Sequence, residues 1–332
     1  MTELCSHSDY DMTDYFTPIP FSLWTQDKAA FAEKLGASFR ETGFAVITEH
    51  PLSQGLIDRA VSDTKSFFAL PEQIKRSYYS EAAAGQRGYT PFGTENAKGQ
   101  AAHDLKEFWH TGRRLAEDSP LKAVMMETPE VSEVDGFNES TNSLYDALDQ
   151  FGQDLLRAVA MHLGLEDEWF TSRVDEGNSI LRLLHYPAQT SAPPPGSVRA
   201  AAHEDINVIT LLLGAEEAGL EVKHRTGEWL AVNPPAGAIV INVGDMLQRL
   251  TNGVLPSTTH RVVNPASERS GYARYSTPFF LHFEPQVLID PLPQCVGEGE
   301  KMEPITAHDY LMERLVEIGL IKEALPMPEL AS

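Results

Sequence analysis

At 332 residues the chain can bury a large core, and its length fits one large domain better than two small ones. Its 48 acidic residues against 26 Lys and Arg give a formal charge of −22, which argues against a nucleic-acid partner, because that affinity rests on basic side chains neutralising phosphates. No run of about 18 apolar residues and no basic or apolar leader is present, and the two distant cysteines, Cys5 and Cys295, suit a reducing compartment; a soluble, cytoplasmic protein off the membrane is expected.

In chain order, Pro18 to Trp24 reads as an extended segment. Phe31, Leu35 and Phe39 recur every four residues, which predicts a helix over Asp27 to Glu41 ending at Gly43, then a short strand from Phe44 to Ile47. A second helix from Ser53 carries Leu56, Ile57, Ala60, Thr64 and Phe67 on one face and stops before Pro71. Residues 80–135 are loop-rich. Their aromatic and basic side chains, Arg87, Tyr89, Phe92, Lys106, Phe108 and Trp109, either line a substrate cavity or belong to a surface loop with a salt-bridged Lys106.

Leu144, Leu148, Phe151, Leu155 and Val159 mark a long helix that backs a sheet. From residue 179 the pattern changes to short apolar runs: Ser179 to Tyr186, Val208 to Leu213, Leu220 to His224, Ala238 to Asn242, Arg261 to Asn264 and Ser276 to Phe283. Turn clusters at Ala192 to Gly196 and Pro234 to Gly237 separate them, as in a sandwich or barrel. A last helix begins near Thr306, with Asp309 completing a variant capping box. The expected layout is mainly β with flanking helices, folded as one unit. Residues 1–135 form a module of helices and loops, 136–300 the β core with its backing helix, and 301–332 a C-terminal helix.

His203 and Asp205 stand at the entry to the Val208 run, where a side-chain period of two would put both on one face. Adding His260, in Ser257-Thr258-Thr259-His260-Arg261-Val262-Val263, makes the two-His-one-carboxylate set that binds non-haem Fe(II) and leaves coordination positions open. Taken alone, His-x-Asp is a weak signal that reads more often as a satisfied histidine beside an acidic residue.

An ordered series of motifs narrows the choice. The run Gly219-Leu220-Glu221-Val222, Gly227-Glu228-Trp229, Pro235-Ala236-Gly237, Asn242-Val243-Gly244-Asp245, Thr251-Asn252-Gly253 and His260-Arg261-Val262-Val263 resembles the core of the isopenicillin N synthase-like branch of Fe(II)/2-oxoglutarate dioxygenases. Gly43-Phe44, Phe67-Phe68-Ala69-Leu70-Pro71, Arg87-Gly88-Tyr89 and Lys106-Glu107-Phe108 resemble that family's N-terminal dioxygenase module, so the resemblance covers most of residues 18–285.

The resemblance implies a double-stranded β-helix (jelly-roll) core with His203, Asp205 and His260 as iron ligands. Arg274 and Ser276 fall where the family holds the distal carboxylate of 2-oxoglutarate, and Tyr186 where a tyrosine hydrogen-bonds the co-substrate. Many plant members carry Asn-Tyr-Tyr-Pro there, whereas this chain has Leu184-His185-Tyr186-Pro187, which removes one expected polar contact. His185 is read as structural; Arg182 points to substrate, to co-substrate or into a structural ion pair. The implied reaction uses Fe(II), O2 and 2-oxoglutarate, with ascorbate as reductant. It oxidises an unactivated C–H bond of a small molecule by hydroxylation, desaturation or ring closure and releases succinate and CO2, without an obligate protein partner. Two other readings stay open. Arg87 and Tyr89 also resemble substrate-contacting positions of isopenicillin N synthase, an oxidase that uses no 2-oxoglutarate, and a non-catalytic jelly-roll protein could hold a metal or a carboxylate with the same residues.

Overall fold

The computed structural model describes residues 14–81, 85–94, 106–188, 200–213, 219–263, 273–297 and 300–327. Cys5, Asp104, Leu105 and the turn at Ala192 to Gly196 lie outside the described residues. Its helices are α1 (Ser22–Gln26), α2 (Lys28–Thr42), α3 (Gln54–Phe68), α4 (Glu72–Arg76), α5 (Phe137–His162), α6 (Thr171–Val174), α7 (Asp245–Leu250), α8 (Pro293–Val296) and α9 (Ala307–Glu317). The strands are β1 (Ile19–Pro20), β2 (Phe44–Thr48), β3 (Gly88–Thr90), β4 (Glu107–Gly112), β5 (Ile180–Tyr186), β6 (Ala200–His203), β7 (Ile209–Leu213), β8 (Leu220–Lys223), β9 (Trp229–Ala231), β10 (Ile239–Val243), β11 (His260–Val262), β12 (Arg274–Leu281), β13 (Leu288–Ile289) and β14 (Ile305–Thr306).

One sheet runs in the order β1-β2-β10-β7-β12-β5-β4-β3 and a smaller one in the order β6-β11-β8-β9. Among the described residues, every pairing apart from the parallel β1–β2 pair is antiparallel. Side-chain alternation decides which face of the large sheet does what. Ala45 and Ile47, Leu181 and Leu183, Ile209 and Leu211, Ile239 and Ile241, and Phe279 and Leu281 enter the core beneath the helices. On the opposite face Phe44, Val46 and Val240 meet Leu220 and Val222 of the small sheet. A mainly β, jelly-roll architecture results, with helices on its outer face.

Local chemistry sets the helix ends. The Asp27 carboxylate accepts the Ala30 N–H to open α2, and Gly43, at φ 73°, closes it in the left-handed region that glycine adopts without strain. A side chain at Gly43 would also meet the Pro256 carbonyl and the Thr258 hydroxyl at 2.5 Å, so the site tolerates no larger residue. The Thr306 hydroxyl accepts the Asp309 N–H and donates to its carboxylate, capping α9.

Three expectations need correction. Pro18 to Trp24 is extended only at Ile19–Pro20 and then turns into α1. Within the predicted loop region, β3 and β4 extend the large sheet, because Trp109 packs against Phe67 (4.9 Å between ring centroids) and Phe137 (5.3 Å) on the helix side. His203 closes its own strand, β6, and Asp205 follows in the turn before β7, so a shared strand face is not what brings them together.

Candidate active site

The two sheets enclose a cavity of about 650 Å3 that opens to solvent, and His203, Asp205 and His260 line it. His203 pairs in register with His260 across β6 and β11, and the Asp205 turn folds back beneath them. One ligand atom from each of the three falls within 4.8 Å of the others. The Asp205 Oδ1 lies 3.7 Å from His203 Nε2 and 3.8 Å from His260 Nε2. These two gaps are shorter than twice a metal–ligand bond of about 2.0–2.2 Å, so one ion can bridge Asp205 to either imidazole.

Hydrogen bonds aim these atoms inward. The Nδ1 of His203 lies 2.7 Å from the Ala201 carbonyl and that of His260 lies 3.1 Å from the Thr258 carbonyl. A carbonyl can only accept, so each Nδ1 carries the proton and each Nε2 keeps its lone pair for a metal. Asp205 Oδ2 accepts from Thr210 Oγ1 at 2.6 Å and Asn242 Nδ2 at 2.8 Å, which leaves Oδ1 facing the imidazoles.

Backbone contacts fix the turn itself. The Asp245 N–H donates to the Asp205 carbonyl (2.7 Å), the Gly244 N–H to Val208 and the Met246 N–H to Asn207. A Cβ on Gly244 would lie 2.1 Å from the Asn207 carbonyl oxygen, so only glycine lets β10 approach this closely. The Asn242-Val243-Gly244-Asp245 motif is thus the support of the Asp205 turn, and Phe44 adds an edge contact to the His260 ring (5.3 Å).

Electrostatics agree with ligation. His203 lines the cavity with 47% of its side chain exposed; desolvation, then the charge of His260, pushes its pKa down to about 4. Burial acts to raise the Asp205 pKa, but His260, His203, Asn242 and Thr210 outweigh it and hold the carboxyl below its ordinary value. At neutral pH the site therefore offers a neutral His203 imidazole beside an ionised Asp205 carboxylate.

Arg274, Ser276 and Tyr186 line the same cavity. Arg274 and Ser276 are two positions apart on β12 and share its inner face, and Arg274 is paired in register with Tyr186 on β5, its guanidinium carbon 5.8 Å from the tyrosine ring. Arg182, two steps before Leu184 on β5, also lines the cavity, and Lys106 joins it. Phe108 stands behind this wall, packed with Leu184 and Tyr186 and 4.4 Å from the Arg182 guanidinium.

Arg87 and Tyr89 do not belong to the cavity lining. Arg87 is 3% exposed; it donates to the Met126 and Gln86 carbonyls and to Asn178 Oδ1, and burial lowers its pKa to about 10. Tyr89 is fully buried and donates to Glu107 Oε2 at 2.5 Å. The same carboxylate accepts from Lys75 (2.6 Å) and pairs with His185 (2.7 Å), so the Lys106-Glu107-Phe108 motif builds a buried ionic hub and His185 is one of its members. Desolvation opposes ionisation of Glu107, yet these partners keep its pKa below the ordinary carboxylate value. Trp109 is buried on the helix side, and Phe92 is exposed. Thr210 and Asn242 went unassigned in the sequence; Asn242 sat in a recognised motif, but Thr210 carries no local signal.

Comparison with known proteins accords with this geometry. Residues 18–132 match the family described as non-haem dioxygenase in morphine synthesis N-terminal, and residues 177–283 match the 2OG-Fe(II) oxygenase superfamily. The chain is 33% identical over 295 residues to the 2-oxoglutarate-Fe(II) type oxidoreductase hxnY of Emericella nidulans, covering 86% of this chain and 83% of that one. A 2OG-Fe(II) oxygenase family protein from Caulobacter crescentus has 51% identity and a TM-score of 0.86, with coverage of 91% of this chain and 99% of that one. A Neurospora crassa protein crystallised with alpha-KG (2-oxoglutarate) and thymine has 30% identity and a TM-score of 0.81, covering 91% and 96%. The conserved module order and the convergent ligand atoms lead to one conclusion: this chain belongs to the 2OG-Fe(II) oxygenase family.

Proposed function

We propose that the protein oxidises an unactivated C–H bond of a small molecule, with His203, Asp205 and His260 holding Fe(II) and Arg274, Ser276 and Tyr186 seating 2-oxoglutarate. The observation that carries this reading is the convergence of three ligand atoms within 4.8 Å in the cavity that Arg274 and Ser276 also line. When bound, iron and co-substrate supply the oxidative chemistry, in which O2 is consumed, 2-oxoglutarate becomes succinate and CO2, and the substrate is hydroxylated, desaturated or cyclised. The protein supplies placement. Three ligands on one side leave the remaining coordination positions to the cavity. The Arg274 fork, a permanent cation, suits the far carboxylate, and the Ser276 hydroxyl on the same strand face adds a donor. Phe44, Leu184 and Val240 give that chamber apolar walls, which limits water around the reacting atoms.

The oxidase alternative leaned on Arg87 and Tyr89, and both have their polar ends consumed outside the cavity. Names of the relatives also favour the 2-oxoglutarate users over the isopenicillin N synthase type. Ascorbate is the expected reductant. No helix among the described residues is long and apolar enough to cross a membrane. The scarcity of cysteine and the acidic balance support a cytoplasmic enzyme without nucleic-acid, membrane or obligate protein partners.

Oxygen consumption and succinate release, measured with Fe(II) and ascorbate in the presence and absence of 2-oxoglutarate, test the proposal. Succinate that depends on both additions, and disappears in a folded Asp205→Ala variant, is the expected result. Iron binding without succinate would favour the oxidase, and a fully active Asp205→Ala protein would remove the triad.

A further inference from the structure

β4 begins at Glu107, β5 ends at Tyr186 and β12 begins at Arg274, and the register sets these three ends side by side. Glu107 lies opposite His185, His185 opposite Tyr275, and Tyr186 opposite Arg274. Two of the residues that would seat 2-oxoglutarate therefore stand on the outermost rung of the ladder. Strand ends are where a sheet opens most easily, because fewer neighbours hold them. A guanidinium fork that must meet a carboxylate in a fixed geometry needs this rung held by more than its backbone hydrogen bonds.

The opposite face of the same strand ends supplies that hold. Side chains alternate, so His185 and Tyr275 leave β5 and β12 on the side away from Tyr186, Arg274 and Ser276. The His185 ring stacks on Tyr275 (4.9 Å between centroids, 15° between planes) and on Phe68 of α3 (5.2 Å, 30°), and Lys65 of that helix lies 5.5 Å from the Tyr275 ring. Because an ionised carboxylate can only accept, His185 Nδ1 donates to Glu107 Oε1 at 2.7 Å. The other oxygen of Glu107 accepts from Lys75 of α4 at 2.6 Å and from the Tyr89 hydroxyl of β3 at 2.5 Å. Glu107 is 1% exposed and Lys75 6%, so little water competes for these bonds. A continuous set of contacts thus runs from α3, α4 and β3, all within the first third of the chain, to the strand ends that carry the proposed co-substrate residues.

We propose that His185 and Tyr275 are positioning residues for the 2-oxoglutarate seat: through the Glu107 hub, the N-terminal module fixes the ends of β5 and β12 from behind and so aims Arg274 and Ser276 at the distal carboxylate. This rests on the Fe(II)/2-oxoglutarate reading, and the test keeps the two apart. Full-length protein loaded with Fe(II) is titrated anaerobically, by calorimetry, with 2-oxoglutarate and with 2-oxopentanoate, in which a methyl group replaces the distal carboxylate. The ratio of the two affinities reports how well the fork is aimed, whereas general damage to the fold weakens both ligands alike. A charge-assisted contact predicts that wild-type protein prefers 2-oxoglutarate by about ten- to hundredfold. His185→Phe keeps an aromatic ring but cuts the link to Glu107, and Tyr275→Ala removes the stack at a half-buried position that the fold tolerates. Each should lower the preference at least about fivefold, with 2-oxopentanoate and Fe(II) affinities within about twofold of wild type. Tyr275→Phe, which keeps the stack, should recover most of what Tyr275→Ala loses. A preference that survives both His185→Phe and Tyr275→Ala, or a parallel fall in affinity for the two oxoacids, overturns the proposal. The wild-type protein alone reports on the underlying reading. If it binds neither oxoacid and gives no charge-transfer band, the 2-oxoglutarate reading falls and the positioning role with it; a normal band and preference that the variants leave intact would sink the positioning role alone.

Discussion

Thr210→Val isolates the support of the proposed iron ligand Asp205. The substitution keeps the branched shape on β7 and removes the hydroxyl that donates to Asp205 Oδ2 at 2.6 Å, leaving Asn242 as the other side-chain donor to that oxygen. A hydrogen bond to a charged group contributes about 1.5–3 kcal/mol, and with one of two lost the carboxylate is freer to rotate Oδ1 away from the two Nε2 atoms it now faces at 3.7 and 3.8 Å. Loss of an outer hydrogen-bond partner typically weakens metal affinity by about 10- to 100-fold, and that is the expected range here. The assay is anaerobic calorimetric titration with Fe(II), accompanied by urea unfolding of the metal-free protein to establish that the variant folds. A folded Thr210→Val protein that binds Fe(II) within about twofold of wild type would refute the claim that this hydroxyl orients the ligand.

Other perturbations separate the site from its scaffold. Arg274→Ala is expected to weaken 2-oxoglutarate binding at least about tenfold while Fe(II) affinity stays within about threefold, since the fork addresses a carboxylate and not the metal; equal losses in the two titrations would make Arg274 structural. Lys75→Ala strands the Glu107 carboxylate, whose side chain is only 2% exposed, and should cost about 3–5 kcal/mol in urea unfolding; a loss below about 1 kcal/mol would mean that the hub tolerates a missing cation. His282 is buried, and desolvation followed by the nearby Arg87 charge lowers its pKa from 6.5 to about 4. Between those values the unfolded chain binds the extra proton, so stability present above pH 6.5 is lost on acidification toward pH 4, by on the order of 2–3 kcal/mol through this ring. His282→Phe should flatten that part of the stability–pH profile, and parallel profiles would assign the loss elsewhere.

Much of the candidate site was legible because its parts carry local patterns. His203 and Asp205 share one short motif, and Arg274 and Ser276 occupy one strand whose period of two shows which side they face. Residues such as Glu107 and His185 gain meaning only through sheet pairing, 78 positions apart, which no local window contains. Arg87 and Tyr89 failed as cavity residues for the same reason. Their polar ends are taken up by Asn178 and Glu107, distant partners invisible to a reading of the Arg87-Gly88-Tyr89 motif. β3 and β4 were missed because Trp109 and its neighbours find their packing on α3 and α5, so the burial that stabilises these strands is tertiary.

The order of the large sheet bears on how the chain can be divided. The strands that enclose the candidate iron site, β10, β7, β12 and β5, are flanked on one side by β2 and on the other by β4, both supplied by the first third of the sequence. A fragment beginning at residue 136 would keep every candidate ligand, yet it would expose the hydrogen-bonding edges of Ile239–Val243 and Ile180–Tyr186 together. Two long apolar edges left open invite pairing between copies. Expressed by itself, such a fragment should collect in aggregates, and co-expression with residues 1–135 should return it to solution.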